Sequence, residues 1–201
     1  MNQDQLAWQA LSLLVAYPDG LAAHEPALRR VASIVDPKVG DPMAAFLDHV
    51  SRTPSGDLEA EYVATFDHRK RCCLFLTYYA HGDTRNRGMA LLTLKQTYAT
   101  AGLSLVDSEL PDHLAVMLEY AATVAPPTGR DLLIAHRAGL ELLRLALHDA
   151  DSPWAAVLDA VSATLPALPG DARTAVARLA AQGPPEESVG LAPYASRGAL
   201  P

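Results

Sequence analysis

The chain has 201 residues, half of them hydrophobic and 19% charged, so it can bury a sizeable core and is not a disordered chain. Alanine and leucine dominate, aromatic residues make up only 6%, and the formal net charge is −7 at pH 7. An acidic body of this kind repels polyanions, which argues against general binding to nucleic acid or to an anionic membrane.

Helical periodicity recurs along the chain, whereas strand-like alternation is almost absent. A first helix is expected from Asn2 to Tyr17, stopped by "PDG". A second covers "AHEPALRRVASIV" and ends before Asp36-Pro37. Asp41 as N-cap and Pro42 at the first helical position open a third, "DPMAAFLDHVSR". In the fourth, "DLEAEYVATFD", Leu58, Tyr62 and Phe66 share one face at i, i+4, i+8 spacing.

The next stretch, "DHRKRCCLFLTYYAHGDTRNRG", runs from Asp67 to Gly88. It carries five of the sixteen Lys and Arg residues and two aspartates, a local +3 that leaves −10 for the remainder. Its "CCLFLTYY" is strand-like in composition, but no partner strand is visible, so helix or irregular packing is expected. Asp83 or Thr84 caps a fifth helix, "RNRGMALLTLKQTYATA", with Gly102 at the left-handed stop position.

Pro111 opens a sixth helix, "PDHLAVMLEYAATV", which ends at Pro126-Pro127. Thr128, with Asp131 three residues on as in a capping box, opens a seventh that reaches about Asp149 and is apolar on most faces. Ser152-Pro153 caps an eighth, and Asp171 a ninth that stops at Gly183. Residues 184–201 are rich in Pro, Gly and Ser without periodicity and read as a flexible tail. The expected architecture is all-α: a single globular multi-helix domain of about nine helices over 1–183, more than a four-helix bundle, followed by that tail.

The adjacent Cys72 and Cys73 do not suit a disulfide with each other and read as reduced thiols of a cytosolic protein. The N-terminus lacks a basic region and a cleavage site, and no apolar run approaches the roughly 20 residues that span a bilayer. A soluble, cytoplasmic protein is expected.

Each chemistry such a chain could carry needs its own residue pattern. Neither a Walker-type phosphate loop nor a dinucleotide fingerprint is present. The candidate zinc ligands His68, Cys72, Cys73, His81 and His113 include no C-x-x-C pair and no H-x-x-x-H pair. Cys72 beside Arg71 is a possible activated thiol, and His113 after Asp112 a possible base, but nothing in the sequence joins them. A plainer reading gives Asp112 to the helix start and His113 to a packing hydrogen bond. His136 lies among Leu132, Leu140 and Leu143 and reads as a core histidine, while Tyr62, Phe66, Tyr78, Tyr79 and Tyr98 are core or groove residues. An acidic helical domain with one basic, aromatic-flanked segment and no catalytic constellation fits a binding protein, whose apolar groove accepts an amphipathic helix.

Three pieces then read together. "EYVATFDHRKRCCLFLTYYAHGDTRNRGMALLTLKQTYATAGL" and "SELPDHLAVMLEYAA", supported by "LSLLVAYPD" and "PPEESVGLAPY", closely resemble the NarJ family of nitrate reductase assembly chaperones, within the TorD/DmsD group of redox-enzyme chaperones. Cys73 stands where serine is common in that family, and Asn86 where a basic residue is common. The resemblance implies an all-helical fold of the TorD/DmsD-like type and no catalytic activity. It implies binding of the N-terminal segment, a leader remnant, of the apo nitrate reductase catalytic (alpha) subunit. That client is held while molybdopterin guanine dinucleotide and iron–sulfur clusters are inserted, before membrane attachment. No cofactor is expected to be bound permanently, nor any nucleic acid; a monomer without direct membrane insertion is expected.

On that reading, Tyr62, Phe66, Tyr78, Tyr79 and Met89 line the client groove. Asp67, Asp83, Asp112 and Glu119 receive basic residues of the leader, with His81 and His113 as further polar contacts. Arg85 and Arg87, together with Arg69, Lys70 and Arg71, meet acidic client surface. Two alternatives stand beside it: a metal carrier or enzyme using Cys72, Cys73 and His113, and a nucleotide-binding accessory protein with its site near "HGDTRNRG".

Overall fold

The computed structural model describes residues 1–105, 109–168, 170, 174, 176 and 177. Among these, the chain forms ten α-helices, one 3-10 turn and one π-helical segment, and no strand beyond an isolated bridge. The all-helical expectation therefore holds. The expected ninth helix falls largely outside the described residues, and the expected tail falls wholly outside them.

Helix α1 (Gln3–Val15) starts with a capping box: the Asn2 side chain accepts the Gln5 amide at 2.8 Å, and the Gln5 side chain accepts the Asn2 amide at 2.9 Å. Its Trp8, Leu11, Leu14 and Val15 are fully or almost fully buried. The helix packs against α2 (Leu21–Ile34), α7 (Leu114–Glu119) and α10 (Trp154–Ala163). Two indoles tie it in place. Trp8 Nε1 donates to Thr164 Oγ1 at 2.9 Å, and Trp154 Nε1 donates to the Leu14 carbonyl at 3.1 Å. Around Trp154 gather Phe46 of α3 (Pro37–Arg52) and Tyr62 and Phe66 of α4 (Ser55–Phe66), with ring centroids 5.3, 5.7 and 5.5 Å away. The predicted α4 stripe is thus the core face: Leu58, Tyr62 and Phe66 are all buried.

Four boundaries differ from expectation. Helix α3 begins at Pro37, not Pro42, because Asp36 Oδ1 accepts the Lys38 amide at 2.9 Å. The earlier Asp-Pro pair takes the cap, and Pro42 is carried inside the helix. Helix α7 begins after His113 rather than at Pro111, and passes at Tyr120 into a π segment (Tyr120–Val124). The expected seventh helix is two: α8 (Pro126–Ala135), opened by Pro126 instead of a Thr128 box, and α9 (Arg137–Asp149). They part at His136, whose ring Nδ1–H donates to the Leu132 carbonyl at 3.0 Å beside the residue's own amide at 3.1 Å. Ser152 supplies no side-chain cap to α10; its Oγ has no partner.

Two glycines have a visible reason. Gly102 adopts φ 82° where α6 (Arg85–Thr100) ends, as predicted. At Gly129 a Cβ would lie 2.3 Å from the Ala121 Cα, so α8 crosses the π segment only because that position has no side chain. Helix α6 is peripheral: only Leu94 and Tyr98 are buried, and Tyr98 joins Val116 and Tyr120 in a small second core.

Candidate functional site

Helices α1 and α7 pack side by side but leave an open trough of about 490 Å³ between their outer faces. Gln9, Ser12 and Leu13 of α1, with Ala16 and Tyr17 just beyond its end, form one wall, and Ala115 and Val116 of α7 form the other. Tyr62 closes the floor, and Phe75 with His113 closes one end. Two carboxylates, Glu109 and Glu119, stand in the lining, and no Lys or Arg does among the described residues. Tyr17 is about half exposed and meets Tyr62 edge-on at 5.4 Å, while its hydroxyl donates to Glu59 Oε2 at 3.3 Å. Partial desolvation, followed by the charges of Glu59, Asp19 and Asp67, raises the Tyr17 phenol above its ordinary pKa. Glu59, Asp19 and Asp67 thus stand near the Tyr17 end of the trough without lining it.

The end wall is built by the segment after α4. Residues Lys70–Cys72 make a 3-10 turn, and α5 (Leu76–His81) follows. Between them the backbone pairs with the approach to α7. The Leu76 amide donates to the Asp112 carbonyl at 3.0 Å, and the Leu114 amide to the Leu74 carbonyl at 2.9 Å. That isolated antiparallel bridge sets Phe75 opposite His113, with ring centroids 5.3 Å apart and nearly perpendicular. The "CCLFLTYY" run is thus a turn, one bridge and a short helix, in line with the irregular packing expected.

Asp112 and His113 diverge. His113 caps α7, its Nδ1 accepting the Ala115 amide at 3.2 Å. An Nδ1 that accepts cannot also carry the proton, so Nε2 holds it and is a hydrogen-bond donor. Burial lowers the His113 pKa, and the nearby Asp112 charge only partly opposes it. Asp112 turns inward and is fully buried. Its Oδ2 accepts the Thr77 hydroxyl and lies 3.7 Å from Arg87 Nη2, while its Oδ1 has no partner. Arg87 also pairs with Asp83 at 3.1 Å, and its guanidinium sits 5.7 Å from the Phe75 ring centroid and 6.0 Å from that of Tyr78.

The structure thus divides the candidate residues. Tyr62, His113 and Glu119 line the trough, and Asp67 stands near its Tyr17 end. Tyr78, Asp83, Arg87 and Asp112 gather behind Phe75. Phe66 is buried against Trp154. Tyr79 is buried with its hydroxyl donating to the Arg71 and Cys73 carbonyls, both at 2.9 Å. His81 ends α5, Arg85 is exposed at the start of α6, and Met89 is 64% exposed farther along that helix. Sequence reasoning missed Leu13, Ala16, Tyr17 and Val116. The signal was available in α1, where Gln9, Leu13 and Ala16–Tyr17 form a second stripe at helical spacing beside the core stripe.

Cys72 is buried and Cys73 half-buried; burial raises both thiol pKa values, which makes neither an activated nucleophile. Among the described residues, no group of three or more His, Cys, Asp or Glu side chains is placed to hold a metal ion. No helix among them is long and apolar enough to cross a membrane.

Comparison with known proteins places this architecture. Residues 34–160 match the model of the nitrate reductase delta subunit family. The nitrate reductase-like protein NarX of Mycobacterium tuberculosis is 37% identical over 161 residues, covering 79% of this chain but only 24% of that protein. The probable nitrate reductase molybdenum cofactor assembly chaperone NarJ of Bacillus subtilis is 32% identical over 164 residues, 80% of this chain and 89% of that protein. The nitrate reductase molybdenum cofactor assembly chaperone NarJ of Escherichia coli K12 is 32% identical over 153 residues, 74% of this chain and 65% of that protein. The chain thus spans about a quarter of NarX and most of the B. subtilis chaperone, and it belongs to the nitrate reductase delta subunit family, the NarJ family that its sequence resembles.

Proposed function

We propose that this chain is a non-catalytic assembly chaperone that binds the N-terminal segment of the apo nitrate reductase catalytic subunit in the α1–α7 trough. The observation that carries the reading is the trough itself: Leu13, Ala16, Tyr17, Ala115 and Val116 give it apolar surface, Gln9 and Ser12 add polar atoms on the α1 side, and its charged lining among the described residues is Glu109 and Glu119 alone. An amphipathic basic segment suits it. Its apolar anchors enter between Leu13 and Val116, and its Lys or Arg residues meet Glu119, Glu109 and Asp67. Burial of apolar surface at about 25 cal/mol per Å² supplies most of the affinity. The rim charges supply register and speed of encounter. His113 Nε2–H, a polar donor at the end of the trough, takes an acceptor of the segment.

The relatives named as molybdenum cofactor assembly chaperones support placing this binding in enzyme maturation. In that role the chaperone holds the client while molybdopterin guanine dinucleotide and iron–sulfur clusters are inserted, and releases it before membrane attachment. It acts as a cytoplasmic monomer and keeps no cofactor. Met89, Arg85 and the basic turn Arg69–Arg71 lie outside the trough and are assigned to contacts with the folded part of the client. Calorimetry with a synthetic peptide of the catalytic subunit's N-terminal segment tests the reading. Saturable one-to-one binding that weakens with salt is expected. Absence of heat at every pH and salt concentration, with no co-purification of the apo subunit, would sink it.

A further inference from the structure

Arg87 and Asp112 lie behind the end wall of the trough, and neither lines it. Yet both hold the two residues that do. The Asp112 backbone carbonyl accepts the Leu76 amide, one of the two bonds that fix Phe75 opposite His113. The Asp112 carboxylate takes Thr77 of α5 and faces Arg87 of α6. Arg87 in turn covers the Phe75 ring, which meets His113 with its ring nearly perpendicular. The Phe75 ring thus contacts both a cation and an imidazole, and the cation pairs with Asp83 and Asp112. Resting on the trough as the client site, we infer that Arg87 is a positioning residue for client binding. It acts through Asp112 and Phe75 to fix the orientation and proton placement of His113, and does not itself touch the client.

The physical reason is the incompleteness of the cluster. Asp112 is fully buried, one of its oxygens has no partner, and its ion pair with Arg87 is long. A buried carboxylate so thinly satisfied depends on every partner it has. Loss of the guanidinium leaves the Asp112 charge without a cation and frees the Phe75 ring, so the hydrogen bond from the Ala115 amide to His113 Nδ1 loosens.

The test uses the full chain and the synthetic N-terminal peptide of the catalytic subunit. The imidazole nitrogens of His113 are followed by ¹⁵N NMR in the free protein, and peptide affinity is measured by calorimetry. Arg87→Met keeps the length and the apolar contact but removes charge and stacking. It is expected to shift or broaden the His113 signals before any peptide is added, and to weaken binding about tenfold, the scale of one disturbed anchor. Arg87→Lys, which restores a cation beside Asp112 without the planar stack, is expected to recover part of both effects. Unchanged His113 signals in free Arg87→Met overturn the inference: Arg87 is then a direct client contact if affinity falls and a bystander if it does not. Should Arg87→Met not fold, the same reading of Arg87→Lys decides. Leu13→Asp separates the two levels, since wild-type affinity in that variant removes the trough as client site and the inference with it.

Discussion

Two buried carboxylates in this fold are treated in opposite ways. Glu141 of α9 is saturated: Oε1 accepts Ser162 Oγ at 2.7 Å and pairs with Arg137 at 3.1 Å, and Oε2 pairs with Arg144 Nε at 2.8 Å. Arg144 continues to Asp159, which also meets His148. Burial alone raises the Glu141 pKa, but Arg144, Ser162 and Arg137 together hold it below its ordinary value. Asp112, by contrast, keeps one oxygen unpartnered and its arginine at 3.7 Å. The Glu141 network joins α9 to α10 with both carboxylate oxygens paired, although Arg137 Nε is left without a partner, whereas the Asp112 cluster stands behind the proposed client trough. The inferred role of the half-satisfied cluster is to place Phe75 and His113, and that of the paired one is stability.

The largest effect should come from breaking the Glu141 network. Glu141→Ala strands Arg137, whose pKa burial already depresses, and is expected to cost about 3–5 kcal/mol in urea unfolding. Peptide affinity of the folded fraction should stay within about twofold if the comparison is right. Next comes the trough: Leu13→Asp is expected to weaken peptide binding by about 2 kcal/mol in calorimetry, with a smaller loss of stability of about 1 kcal/mol because Leu13 is partly buried against the core. Tyr79→Phe removes the hydroxyl that holds the Arg71 and Cys73 carbonyls, and its expected cost is about 1 kcal/mol of stability. A matching loss of affinity there would mean that the 3-10 turn also belongs to the binding site.

The smallest effect concerns protons. His113 has a lowered pKa in the folded state, so the unfolded chain takes up its proton first as pH falls. The stability this residue contributes is full above the ordinary histidine pKa and is lost as pH drops from there toward the folded value. The slope for this one proton is at most about 1.4 kcal/mol per pH unit. His113→Asn keeps an acceptor for the Ala115 amide and should flatten that slope in pH-dependent melts. An unchanged slope would assign the acid sensitivity to other groups.

Much of the fold was legible because helical stripes are local. The Leu58–Tyr62–Phe66 face and the Gly102 stop followed from spacing and backbone preference. The α3 start was misplaced because Asp36-Pro37 and Asp41-Pro42 carry the same signature, and only packing chooses between them. The π segment after Glu119 and the break at His136 were missed because the apolar period runs through both; the Gly129–Ala121 approach and the His136–Leu132 bond are close in sequence but leave no mark in residue spacing. The site was legible in part. His113 was singled out as a possible base after Asp112, and Tyr62 and Glu119 as client contacts implied by the family resemblance, but the trough needs α1 beside α7, about a hundred residues apart. Asp112 and His113 looked like one functional pair; a turn before the helix sends one into the core cluster and the other to the trough.

Photo-cross-linking shows where the client segment sits on the chain. A peptide of the catalytic subunit's N-terminal segment, carrying a photoreactive group in turn at each apolar position, is irradiated with the full chain and the adducts are located by mass spectrometry. The account predicts adducts at Leu13, Tyr17, Phe75 and Val116. Adducts confined to the α9–α10 face or to Met89 on α6, with none in the trough, would contradict it.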